Sequence, residues 1–126
     1  MTPAGGLGFN RSFGVDTMAM TKRYEEIQPT RAEIDSLRGA VVVEFGTAWC
    51  GFCRAAQPLI EAALAAHPEV HHIKVEDGKG RPLGRSFAVK LWPTLVFMRD
   101  GQEMARVVRP PDVKSISDAL ERIVAA

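Results

Sequence analysis

Two residues in this chain can act together as nucleophiles: Cys50 and Cys53, its only cysteines, in the stretch VVVEFGTAWCGFCRAAQP. A thiolate can attack a disulfide or ligate a metal, and a protonated buried thiol can simply fill space. Extended to His67 and His71, the string reads C-x2-C-x13-H-x3-H, which fits a zinc-finger spacing as well as a redox couple. Spacing alone leaves the three readings open.

The surroundings separate them. Cys50 stands where an apolar run over 40–45 gives way to an Ala-rich stretch, at the junction of a strand and a helix. A helix N-terminus carries free N–H groups and a partial positive charge, and both stabilise a thiolate. Such placement lowers a cysteine pKa from about 8.5 into a range of roughly 3.5–7.5. Cys53, one turn on, can reach back, so the first cysteine attacks and the second resolves the mixed disulfide. In a two-cysteine, two-histidine finger the cysteines lie on a hairpin and the histidines share a helix face. Here the cysteines open a helix, and Pro68 keeps His67 and His71 off a common regular turn. His67, His71 and His72 read most simply as a helix end and a strand entry.

The elements that must position the pair follow from local pattern. Residues 24–27 are expected to form a short strand. Thr30 and Glu33 make a capping box for a short helix that ends at Gly39. The β-branched run over 40–45 predicts a buried central strand. A helix is expected over 53–66, apolar nearly all round and kinked at Pro58, with His67-Pro68 ending it. Strands follow over 71–76 and 94–98, with a short helix over 82–87 between them. Asp100-Gly101 is a hairpin turn signal, so 103–108 pairs back. After Pro110-Pro111, a last helix capped by Asp112 or Ser115 carries an apolar stripe of Val113, Ile116, Leu120, Ile123 and Val124. The order β-α-β-α-β-α-β-β-α predicts an α/β fold, a mixed sheet with helices on both faces.

Composition narrows the function. With 126 residues, 46% hydrophobic and 25% charged, the chain suits one globular domain. Its 16 basic and 15 acidic side chains give a net charge of +1 and no general attraction to nucleic acid or an acidic membrane. No apolar run approaches the roughly 20 residues of a membrane span. Residues 1–21 are Gly-rich and aperiodic and are expected to be a flexible tail, with the domain at 22–126 and Met18 or Met20 as candidate starts. They hold no signal-like apolar segment, which makes the cytoplasm the expected compartment.

The chain resembles the thioredoxin family. That family carries W-C-x-x-C between a central strand and a kinked helix, as in AWCGFC. Pro58 stands where it has its helix-kinking proline, Trp92-Pro93-Thr94 where it has a cis-proline and threonine, and the element order agrees over some four fifths of the chain. The resemblance implies a thioredoxin fold and a thiol–disulfide oxidoreductase with no cofactor beyond its own dithiol. It implies disulfide-containing protein substrates, a thiol or reductase as electron donor, and a monomer.

Residue by residue, the resemblance makes Cys50 the nucleophile and Cys53 the resolving thiol. Glu44 falls where the family has a buried Asp that relays protons to the resolving cysteine, and burial is expected to raise its pKa. Lys74 falls where many members place a lysine that pairs with that acid. Pro93 is expected to be cis, turning the Trp92 backbone toward Cys50 to pair with an extended substrate. Trp49, Phe52 and Trp92 flank the site. Arg109 replaces a groove glycine and, with Arg106, is expected to make that rim basic. The rival readings are a binding module whose cysteines are incidental, and the zinc site.

Overall fold

A computed structural model describes residues 20, 21, 23–25 and 27–124. Its elements are α1 (Arg31–Asp35), β1 (Ala40–Gly46), α2 (Gly51–Ala65), β2 (His71–Glu76), α3 (Pro82–Ser86), β3 (Thr94–Arg99), β4 (Gln102–Val108) and α4 (Val113–Val124). The sheet runs β2-β1-β3-β4, with β1 and β2 parallel and the other two pairs antiparallel. This is the expected mixed sheet, and strand alternation explains how its two faces are covered. Val41, Val43 and Phe45 point into a cluster with Ile73, Val96, Ile34, Leu83 and Phe87, under α1 and α3. Ala40 and Val42 point the other way, into a cluster with Ile60, Leu64, Phe97, Ile116 and Leu120, under α2 and α4. Every residue of β1 is buried, as its continuous apolar run requires of a strand covered on both faces.

Local chemistry sets the ends. The capping box forms: Thr30 Oγ1 accepts from the Glu33 N–H at 3.0 Å and Glu33 Oε1 from the Thr30 N–H at 2.8 Å. Asp112 Oδ1 accepts from the Ser115 N–H at 2.9 Å, so Asp112 caps α4. At the β3–β4 turn Asp100 and Gly101 both take positive φ, +51° and +82°. Only glycine fits the second position, because a Cβ there would run into the Asp35 carbonyl oxygen.

Two expectations are corrected. The strand over 24–27 reduces to one parallel bridge between Glu25 and Val75. Side chains replace the rest of the ladder. Along the outer side of β2 the His72 carbonyl accepts from Thr21 Oγ1, the Lys74 carbonyl from the Glu25 N–H, and the Glu76 carbonyl from Gln28 Nε2. The domain also starts before residue 22. Thr21 is buried, its N–H donates to His72 Nδ1 at 3.0 Å, and Met20 packs on the core. The rest of the expected tail, 1–19 with the candidate start at Met18, lies outside the described residues.

Candidate active site

Helix α2 begins at Gly51, two residues earlier than the sequence predicts, because Cys50 is its N-cap. The Cys50 backbone is extended (φ −80°, ψ 123°) and its Sγ accepts from the Cys53 N–H at 3.2 Å. Both cysteines are reduced. Cys50 is 8% exposed, while Cys53 is at 1%. Burial, a hydrogen bond to Cys50 and the charges of Cys50 and Glu44 push the Cys53 pKa up to about 12 against a smaller opposing backbone contact at Thr47. Gly46 ends β1 directly behind this thiol. A Cβ at Gly46 would lie 2.5 Å from Cys53 Sγ and 3.1 Å from the Tyr24 hydroxyl. That hydroxyl donates to the Thr47 carbonyl at 3.2 Å, and burial with the nearby Glu44 and cysteine charges raises its pKa, so it stays protonated.

Because Cys53 is held as a neutral thiol, limited alkylation of the reduced protein near pH 7 is expected to label Cys50 first. Peptide mapping reads this directly, and preferential modification of Cys53 would reverse the two roles.

Glu44 lies behind the pair, fully buried on the side of β1 that faces α2. His72 Nε2 donates to its Oε1 at 2.8 Å, and Gln57 Nε2 donates to its Oε2 at 2.8 Å. The His72 tautomer follows from its other nitrogen. Nδ1 accepts the Thr21 N–H, so Nε2 carries the proton that goes to Glu44. Burial pushes the carboxyl up, but the His72 hydrogen bond, the nearby Lys74 charge and the Gln57 hydrogen bond outweigh it, and its pKa falls below the ordinary value. This corrects the direction expected from burial alone. Lys74 is brought to the same site but not by the simple pairing expected. Its Nζ donates to Gln57 Oε1 at 3.0 Å, so Gln57 links the lysine to the acid, and Gln57 Nε2 also donates to the Cys53 carbonyl at 2.9 Å. A groove of about 510 Å³ reaches this side of the pair, lined by Cys53, Gln57, Lys74, Tyr24, Trp49 and Arg23.

On the outer rim, Trp49 and Trp92 meet edge to face with centroids 5.7 Å apart. The Trp92 indole N–H donates to Asp77 Oδ2 at 2.9 Å, and the Trp92–Pro93 bond is cis. Trp49 and Phe52 are exposed, so neither is core. Arg109 stands over the Phe52 ring at 3.8 Å, and its Nε donates to the Trp92 carbonyl at 2.8 Å. Arg106 does not add to a basic rim, because Glu103 accepts from its Nε and Nη2 at 2.7 and 2.8 Å and offsets its charge.

The zinc reading fails on distance. The cysteines sit at the first turn of α2 and His67 just past its last, and fifteen residues at about 1.5 Å each span about 22 Å. His67 lies instead 3.8 Å from both Glu69 and Glu121.

The thioredoxin family model matches residues 24–122. The chain belongs to the thioredoxin family. A thioredoxin from Chlamydia trachomatis is 37% identical over 79 residues, 62% of this chain and 76% of that one. Thioredoxin-2 of Pyricularia oryzae is 32% identical over 81 residues, 63% of this chain; the match spans about half of that relative, 47%. The reduced structure of thioredoxin 2 from Pseudomonas aeruginosa superposes with a TM-score of 0.76 at 57% identity, covering 84% of this chain and 98% of that one. Thioredoxins are thiol–disulfide oxidoreductases, and this chain is one of that class. As a member, it has an acid at Glu44 held by partners that the sequence does not flag. His72 is 28 residues away and Gln57 13 away, and each is an ordinary polar residue in its own segment.

Proposed function

We propose that the Cys50–Cys53 dithiol reduces or exchanges disulfides in protein substrates. The observation that carries this reading is the asymmetry of the pair. The Cys50 sulfur accepts a helix-terminal N–H at 3.2 Å, while Cys53 is held protonated with a pKa of about 12. Cys50 as thiolate attacks one sulfur of the substrate disulfide. That S–S bond breaks, and the leaving sulfur takes a proton. In the mixed disulfide Cys50 carries no charge, so its charge and its hydrogen bond no longer hold Cys53 up. Cys53 then gives its proton to Glu44, directly or through water in the adjoining groove. Its thiolate attacks Cys50, the second substrate sulfur leaves, and two electrons have passed from the dithiol to the substrate. Gln57 and Lys74 hold the carboxylate toward Cys53, and Trp49, Phe52, Trp92 and Pro93 form the surface on which substrate rests.

A thiol pool or a reductase regenerates the dithiol, and the protein works as a monomer in the cytoplasm, where thiols are kept reduced. Reduction of insulin disulfides by the dithiol-charged protein tests the reading, with Cys50→Ser as control. A wild-type protein that reduces no more insulin than the variant's background would leave a binding module whose cysteines are incidental.

Glu44→Gln keeps the shape and removes the titrating group. It is expected to slow oxidation of the dithiol, by less than about 100-fold because groove water can also take the proton. With the carboxyl pKa held low, Glu44 contributes no inflection to the wild-type rate between pH 6 and 8. A rate unchanged by the substitution would make Glu44 a structural residue only.

A further inference from the structure

Arg109 stacks on one of the rim aromatics, Phe52, and its setting is unusual. Its φ is +50°, a left-handed region that side-chain-bearing residues rarely occupy. Three contacts hold it there. Its N–H donates to the Pro93 carbonyl at 2.9 Å, its Nε donates to the Trp92 carbonyl at 2.8 Å, and its guanidinium stacks at 3.8 Å on Phe52. Arg31, Arg81, Arg99 and Arg106 each lie within 4 Å of a carboxylate; Arg109 has no carboxylate partner among the described residues. Asp77 on the same rim is engaged by the Trp92 indole. A guanidinium has five donors in a planar fork. One is used on Trp92, which leaves the two terminal amino groups for a ligand, and their geometry matches a carboxylate.

We propose that Arg109 selects, among disulfide substrates, those with a carboxylate side chain next to the reactive cysteine. This rests on the exchange activity proposed above. An extended substrate segment that lies along Trp92–Pro93 passes beside Phe52 and under Arg109. There an adjacent Glu or Asp meets the free end of the fork, while a neutral residue gains no ion pair. The stacked ring keeps the cation in place, so little side-chain freedom is lost when the pair forms.

The test uses pre-reduced full-length protein and two disulfide-bridged peptides, identical except for Glu or Gln beside the cysteine. Oxidation is followed by tryptophan fluorescence in a single turnover, so no reductase is needed. Wild type is expected to react about three- to tenfold faster with the Glu peptide at low salt, with the gap closing in 0.5 M salt. Arg109→Asn removes the charge and tolerates positive φ, and Arg109→Gly adds a residue with no cost there. Both are expected to react equally with the two peptides. A wild-type protein that does not discriminate, or a discrimination that survives both substitutions, overturns the inference while leaving the exchange activity standing. If neither peptide oxidises wild type, the exchange reading itself falls, and this inference with it.

Discussion

With Cys53 replaced by serine, the protein is expected to accumulate as a covalent adduct, its substrate bound through Cys50. The intermediate forms when Cys50 opens the substrate disulfide, and only a second thiolate can release it. In the native protein that thiol is one helical turn away and its N–H already touches the Cys50 sulfur. Well-placed intramolecular groups act at effective concentrations of about 10⁵ M or more, far above any millimolar thiol in solution. Serine fills the same buried space without the chemistry, so the lifetime of the adduct is expected to rise by orders of magnitude. Incubating the reduced variant with an oxidised protein substrate, followed by non-reducing electrophoresis and mass analysis, should give a near-stoichiometric species linked at Cys50. Cys50→Ser should give none. An adduct carried by Cys53, or equal yields from the two variants, would overturn the assignment of nucleophile and resolving thiol.

His72→Leu is expected to cost about 3–5 kcal/mol of stability near pH 7, the range found when a buried charged group loses its partner. Glu44 would keep Gln57 and the nearby Lys74 but lose the 2.8 Å hydrogen bond that does most to hold its carboxyl ionised. The pH dependence separates this from lost packing. The folded pKa of Glu44 lies below its unfolded value of 4.5, so the group binds fewer protons folded than unfolded in that range. Its contribution is fully present above about pH 4.5 and is lost as pH falls through the folded value. In His72→Leu the folded pKa moves up. The deficit against wild type should therefore be largest at neutral pH and shrink in acid, where both proteins carry a protonated Glu44. Urea unfolding from pH 3 to pH 7 measures this. A cycle with Glu44→Gln should show strong coupling between the two sites. A deficit of the same size at every pH, with no coupling, would reduce His72 to a space-filling residue.

What the sequence makes legible is what neighbours along the chain decide. The Asp100-Gly101 turn, the Thr30–Glu33 box and the all-apolar β1 depend on residues within a few positions of one another, and each formed as its pattern implies. Cys50 and Cys53 were equally plain, because strand, cysteine and helix follow one another directly. The start of α2 was misplaced because cysteine is not among the usual capping residues, yet its sulfur accepts the N–H that a serine oxygen would. The strand at 24–27 was overstated because apolar spacing cannot show that Thr21 and Gln28 side chains complete the pairing. The sign of the Glu44 shift was hidden for the same reason. Burial can be read from a β-branched strand, but the donors that overcome it come from β2 and α2 and meet the carboxylate only in the folded chain.

The segment along the outer side of β2 also bears on how the protein behaves in a crowd. A strand at the border of a sheet offers a row of open acceptors to which another chain can add, the usual seed of aggregation. Here the carbonyls of His72, Lys74 and Glu76, every second one along β2, are already taken by Thr21, Glu25 and Gln28. The opposite border, β4, is guarded differently, by the Glu103–Arg106 pair on an exposed strand. The sheet is thus closed to strand addition at one border and charged at the other. The fold can present Trp49 and Phe52 to the solvent for its substrates without offering unfolded chains a template along the β2 flank.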